Sequence, residues 1–234
     1  MPLALPAALE PYRPTIEAAA RPAIRLDAPA DPTGAAAQFG GRPLVPPGTS
    51  WPEGKDGPMF FVGHVDFAQV RRQAGAAAAE LPGDGASRPR PFTGPELLLG
   101  ATAMTSLPTY DETEGLVAIP RESDALWETY FEELLPPEDL TMHQLLGYAT
   151  WIQDDPRPVV EALARGQPAS AAYKGAGAAD LRAAARRWRL LWQIGSDGRA
   201  GFMWGDSGNL QVLIRDEDLQ ERRFERTWLT GACY

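Results

Sequence analysis

The chain is short of the residues that most often assemble chemistry: its 234 residues include one cysteine, Cys233, and two histidines, His64 and His143. A lone cysteine excludes an intrachain disulfide, and a chain of this length buries roughly 70–75% of its unfolded surface without one. The expected state of Cys233 is an inert buried thiol in a reducing compartment. Two imidazoles are few for a histidine-based metal centre, so neither a metal nor another cofactor is expected. No apolar run approaches the ~20 residues of a membrane-crossing helix. Residues 1–10 hold two prolines and no Lys or Arg, the wrong chemistry for a secretory leader, and the expected location is cytoplasmic. There is also no glycine-rich phosphate loop and no dinucleotide fingerprint.

What the chain does have is turn chemistry and acid. Its 23 glycines and 23 prolines demand many turns. The net charge of −9 is concentrated in the middle third, where residues 96–161 carry fourteen Asp or Glu against two basic residues, Arg121 and Arg157, a balance of −12. Residues 1–95 balance at nine against nine, and 162–234 carry eleven basic against eight acidic. A field of that sign repels nucleic acid and favours cationic partners. The small basic and aromatic patch of Arg186, Arg187 and Arg189 around Trp188 and Trp192 is too slight to reverse that on an acidic protein.

Two apolar runs, 188–195 and 209–214, flank a Gly/Asp/Ser/Asn turn cluster and read as paired strands. Upstream, the alternation from Ala23 to Leu26 reads as an edge strand, with a short helix from Thr15 to Ala20 before it. Residues 38–52 are too rich in Pro and Gly for a regular element, and Trp51 is their anchor. A strand-type run over 58–67 leads into a helix-compatible 67–79, and 96–100 is a second buried-strand candidate. Residues 79–93 are where mobility is expected. Asp124 caps a helix with Trp127, Tyr130, Phe131 and Leu134 at helical spacing, stopped by Pro136 and Pro137. Residues 165–179 read as loop, and Asp180 as the cap of a last short helix ending at Arg187. Residues 38–105 and 186–230 share the order apolar strand, Asp-bearing turn, second apolar strand, which suggests two related β-units, with 106–161 as an acidic insert-like region.

Three blocks carry a family resemblance: Gly40-Gly41-Arg42-Pro43 to Pro46 with Trp51-Pro52 and Val65-Asp66-Phe67; His143-Gln144 to Tyr148 with Ile152-Gln153-Asp154; and residues 188–219 with Trp204-Gly205-Asp206-Ser207-Gly208. Spread in order over residues 38–230, they resemble the YwqG-like family of bacterial proteins. The resemblance implies a single α+β domain over 1–234, mainly β, with roll-like antiparallel sheets and peripheral short helices. It implies no assigned activity, and an association with toxin-bearing loci. The chain departs from the family pattern at His64, where Gln is usual, and at residues 95–100.

Each catalytic reading of the sequence has a plainer competitor. Gly205-Asp206-Ser207-Gly208 looks like a serine-protease motif, but Asn209 replaces the next glycine and neither histidine stands in a protease-like context. A turn in which Asp206 and Asn209 bond their own backbone is the better reading. His64 and Asp66 share one strand face, as metal ligands would, yet a structural imidazole is the commoner outcome. The pairs Glu132-Glu133, Glu138-Asp139 and Asp154-Asp155 sit at helix ends and turns, where acids are usually solvated. The reading that follows is a soluble, non-enzymatic binding protein. An immunity or antitoxin protein that meets a basic protein partner through Glu128, Glu132, Glu133, Glu138 and Asp139 is its concrete form. The alternative is an enzyme or small-ligand binder with a pocket at Trp51, His143, Gln193, Trp204 and Asp206. No nucleic acid and no membrane is expected as a partner.

Overall fold

A computed structural model describes residues 3–29, 33–41, 50–55, 57–81, 96–109, 112–137 and 143–234. From residue 82 onward the expected mobile stretch lies outside them, as do the candidate site residues Glu138 and Asp139. In chain order the elements are α1 (Arg13–Ala19), β1 (Arg21–Pro29), β2 (Ala37–Phe39), β3 (Glu53–Gly54), β4 (Gly57–Pro58), β5 (Gly63–Val65), α2 (Phe67–Ala74) and β6 (Leu97–Ser106). There follow α3 (Asp124–Thr129), β7 (His143–Leu146), α4 (Arg157–Ala164), α5 (Ala178–Ala185), β8 (Trp188–Gly195), β9 (Asn209–Arg215), α6 (Asp216–Gln220) and β10 (Trp228–Ala232). Strands β10, β9, β8 and β7 lie side by side in that order, as do β1, β6, β2 and β5, and β3 pairs with β4. The described pairings are antiparallel. This is the mainly β, α+β architecture with short helices that the sequence implies.

The chain divides into two compact units, one of Met1–Ala23, Thr105–Gly195 and Trp204–Tyr234, the other of Ile24–Met104 and Ser196–Met203. In the first, β8 and β9 pair from Trp188↔Arg215 to Gly195↔Asn209, with a bulge between Leu190 and Trp192. Trp188, Leu190 and Leu213 pack with Ala149 and Val160 into one apolar cluster. A second cluster gathers Leu9, Ile16, Leu107, Ile119 and Tyr130, with Trp127 and Phe131 against it. The turn before β9 needs glycine for want of room. A Cβ at Gly208 would stand 2.1 Å from the Ala232 carbonyl oxygen and 2.5 Å from that of Trp204. After β7 the chain turns through Gly147 at φ 72°, where a Cβ would meet those of Ala23 and Ser106 at 2.7 Å.

In the second unit β2 lies between β5 and β6, so the two strands of the first proposed β-unit are joined through a third, whereas β8 and β9 pair directly. Phe39 and Phe202 meet with ring centroids 5.8 Å apart. Asp66 is the N-cap of α2: its Oδ1 accepts from the backbone N–H of Ala68 at 2.9 Å and of Gln69 at 3.0 Å. Trp51 Nε1 donates to the Met59 carbonyl at 2.7 Å, and residues 42–49 of the stretch it is expected to anchor lie outside the described residues.

Several local expectations are corrected. Ala23 and its neighbour Ile24 are both fully buried, so both faces are covered and the alternation from Ala23 to Leu26 misleads. Helix α1 starts at Arg13, with Pro14 in its first turn, and the Thr15 hydroxyl donates back to the Tyr12 carbonyl instead of capping. Asp124 and Asp180 sit inside the first turns of α3 and α5, after Ser123 and Gly177, where their charge suits the helix dipole. The 124–134 helix widens from α into a π turn at Tyr130–Leu134. Residues 165–179, read as loop, include a 3₁₀ turn at Ala169–Ala172, and α5 ends at Ala185.

Candidate functional site

The acidic third divides into carboxylates that the fold uses and carboxylates that it leaves outside. Glu161, on α4, is fully buried. Its Oε2 accepts from the Trp188 indole N–H and from Arg215 Nη2, both at 2.8 Å, and its Oε1 accepts from Arg165 Nε at 2.8 Å. Arg187 stands 3.6 Å away, and the Arg215 guanidinium lies 4.6 Å over the Trp188 ring. Burial pushes the Glu161 carboxyl up, but the bonds from Arg215, Trp188 and Arg165 together bring it below the ordinary carboxylate value. Arg165 and Arg187 are engaged in turn by Asp180 and Glu217, so the cluster is an internally neutralised clamp between α4, α5, β8 and β9.

Glu112 is the second buried acid. Its Oε1 meets Arg157 Nη1 at 2.6 Å, and Arg157 is held from the other side by Asp155 through Nε and Nη2. The Arg157 guanidinium lies 5.6 Å from the Trp151 ring centre. Glu112 Oε2 is buried with no hydrogen-bond partner among the described residues. Burial therefore dominates and pushes the carboxyl up to about 7, against the pull of Arg157 and with the push of Asp155.

Outside, Glu128, Glu132 and Glu133 are all exposed along α3 and its π turn, and among the described residues no ion pair engages them. Beside that helix lies a cavity of about 480 Å³, lined by Glu114, Asp124, Arg121, Trp127 and Phe131 with Val117 and Ile119. Trp127 and Phe131 stack with ring centroids 5.6 Å apart and planes 20° from parallel. The Trp127 N–H is tied to the Pro120 carbonyl at 3.1 Å, which fixes the ring as a wall. Arg121 and Glu114 pair across the rim at 3.2 Å, both largely exposed.

Four of the five residues of the alternative pocket, His143, Gln193, Trp204 and Asp206, lie in the first unit. His143 and Trp204 both meet Gly195, His143 Nδ1 accepting from its N–H at 3.3 Å and Trp204 Nε1 donating to its carbonyl at 3.1 Å. Gln193 Oε1 accepts from the Thr150 N–H at 2.8 Å. Asp206 is exposed in the turn, and its carbonyl accepts from the Tyr234 N–H. Trp51 belongs to the other unit. His143, Trp204 and Gln193 thus hold backbone in place, which is a structural use of residues that also read as pocket lining. Asn209 is corrected as well, because its amide reaches the Thr150 carbonyl at 3.0 Å instead of its own turn. Ser207 is exposed at φ 52°, and no imidazole bonds it among the described residues.

Sequence reasoning missed a row of amides across the sheet. Gln144 faces Gln193, and Gln193 faces Gln211, on β7, β8 and β9, all fully buried. With Asn209 they fasten the 146–150 loop, Gln144 Nε2 donating to the carbonyls of Leu146 at 2.7 Å and Tyr148 at 2.8 Å. The signal was there: a glutamine in each of three strands that are rich in apolar residues. Among the described residues no group of acids, His and Cys could hold a metal ion, and His64 Nδ1 is buried with no hydrogen-bond partner among them. No described helix is long and apolar enough to cross a membrane. A family model described as a domain of unknown function, DUF1963, matches residues 37–86 and 98–233. No curated protein matches the chain.

Proposed function

The chain belongs to the DUF1963 family of domains of unknown function, and on that premise we propose that it is a cytoplasmic, non-enzymatic binding protein whose acidic helix meets a basic protein partner. Within the family we group it with the YwqG-like members, on the blocks around residues 40–67, 143–154 and 188–219. An immunity or antitoxin protein that masks a cationic toxin is the concrete form of this reading.

One observation carries it. The buried acids of the middle third, Glu112 and Glu161, are each met by arginine, while Glu128, Glu132 and Glu133 stand exposed with no cation beside them among the described residues. Glu128 and Glu132 are one helical turn apart, a like-charge pair that costs a few tenths of a kcal/mol in a lone helix. Such a face raises the encounter rate with a cation and sets orientation more than it adds affinity.

The test uses a synthetic arginine/alanine peptide and its glutamate/alanine counterpart. Stopped-flow association with the basic peptide is expected to slow steeply as salt rises, and the acidic peptide is expected not to bind. In E128Q/E132Q/E133Q the salt dependence is expected to flatten, while the same charge change at Glu53, Glu221 and Glu225 leaves it intact. Association that is indifferent to salt, or equal loss in both triple variants, overturns the reading.

A further inference from the structure

We propose that the cavity beside α3 is a receptor for one arginine side chain of the basic partner. The inference rests on the reading just given and names the group that the surface takes. At about 480 Å³ the cavity has the size of a small-molecule site. Its composition is specific to a planar cation. One wall is the stacked pair Trp127 and Phe131, whose rings are nearly parallel, and a guanidinium stacks on such a face where an ammonium is only a point charge. Trp127 is held from turning by its bond to Pro120 and by edge contact with Tyr130 at 5.6 Å. Val117 and Ile119 offer apolar surface to the methylene stem. Glu114 and Asp124 supply carboxylates suited to the two-pronged donor of arginine.

The rim already displays the chemistry. Arg121 Nη2 lies 3.2 Å from Glu114 Oε1, with both side chains 72% exposed. Such a pair is weak and screened by salt, so a better placed guanidinium displaces it. Arg121 therefore acts as a resident competitor, occupying a carboxylate that an incoming arginine would use and repelling the same charge. Glu128, Glu132 and Glu133, on the same helix, supply the long-range attraction that brings the partner to this mouth.

The experiment measures binding of a short peptide with one central arginine flanked by neutral residues, and of its lysine and citrulline counterparts, by calorimetry on the full chain. Citrulline keeps the planar shape and loses the charge. Arginine is expected to bind about fivefold or more tighter than lysine and about tenfold or more tighter than citrulline. Asp124→Asn is expected to weaken arginine binding about fivefold, and Arg121→Gln to tighten it severalfold. Asp124 and Arg121 are both exposed, and circular dichroism checks that each variant folds. The opposite signs of the two variants separate a site effect from lost structure. Equal binding of arginine and lysine, no response to Asp124→Asn, or weakening by Arg121→Gln overturns the arginine receptor. If salt-dependent association of the arginine/alanine peptide survives such a result, the acidic-surface reading stands and only this inference falls. If no basic probe binds, both fall.

Discussion

Glu161 and Glu133 carry the same charge in the same acidic third of the sequence, and the fold treats them oppositely. Around Glu161 it places the Trp188 N–H and three arginines, drawn from α4, the end of α5 and β9. Around Glu133 it places solvent. The first acid is part of the framework, and its partners come from as far as 54 residues away in sequence. The second is a surface charge, open to solvent. A count of charge along a chain treats these two as equal, yet burial makes one a matter of stability and leaves the other with little effect on it.

The largest expected effect breaks the framework side. Glu161→Gln leaves the Arg215 and Arg165 contacts without their charge and is expected to cost about 3–5 kcal/mol, read as a lower midpoint in urea unfolding. Against a total stability of about 5–15 kcal/mol that is a large fraction. The native Glu161 carboxyl is held below its ordinary value, so its stabilisation is present above the ordinary carboxyl pKa and lost as pH falls through the native one. Acid unfolding of the Gln variant is expected to show less of that loss; an unchanged acid profile breaks the assignment.

Glu112 sharpens the comparison, because it is buried and paired yet shifted the other way. With a native pKa of about 7 against an ordinary 4.5, it stabilises fully below the ordinary value, and that contribution is lost as pH rises through about 7. The size is up to about 3 kcal/mol, from 1.36 kcal/mol per pKa unit. Thermal unfolding of Glu112→Gln is expected to lose less stability between pH 5 and 8 than the parent chain. If the two profiles run parallel, Arg157 compensates burial fully and Glu112 belongs with Glu161.

The smallest stability effect is on the exposed side. E128Q/E132Q/E133Q is expected to change unfolding stability by no more than about 0.5 kcal/mol, with the sign favouring the variant, because a like-charge pair is relieved. A loss above about 2 kcal/mol would show that these carboxylates do framework work, and would remove the contrast with Glu161.

Much of this was readable before any coordinates. The β8–β9 pair follows from two apolar runs around a Gly/Asp/Ser/Asn turn, and the helix at 124–134 follows from the spacing of Trp127, Tyr130, Phe131 and Leu134. Helix α4 was not read, because Pro156 and Pro158 look like breakers. In the structure they occupy the N-cap and the first turn, where proline is tolerated, and Asp155 Oδ1 accepts from the Arg157 N–H to begin the helix. Strand β10 was also missed: with Thr230 at its centre, Gly231 beside it and alternate residues exposed, it has little apolar signal of its own. Of the site, the exposure of Glu128 and Glu132 was legible from their spacing, one helical turn apart and opposite Trp127, Tyr130, Phe131 and Leu134. The clamp on Glu161, the row of Gln144, Gln193 and Gln211, and the cavity at Trp127 were not.

The sequence by itself determined the class of fold, the turn cluster between β8 and β9, and the amount and sign of charge in the middle third. Those depend on neighbours within a few residues, where backbone geometry and side-chain period act directly. Only the tertiary structure decided which acids face arginine and which face water, because a carboxylate's surroundings are built from strands and helices distant in the chain. Desolvation and pairing act through space, and no local pattern records them.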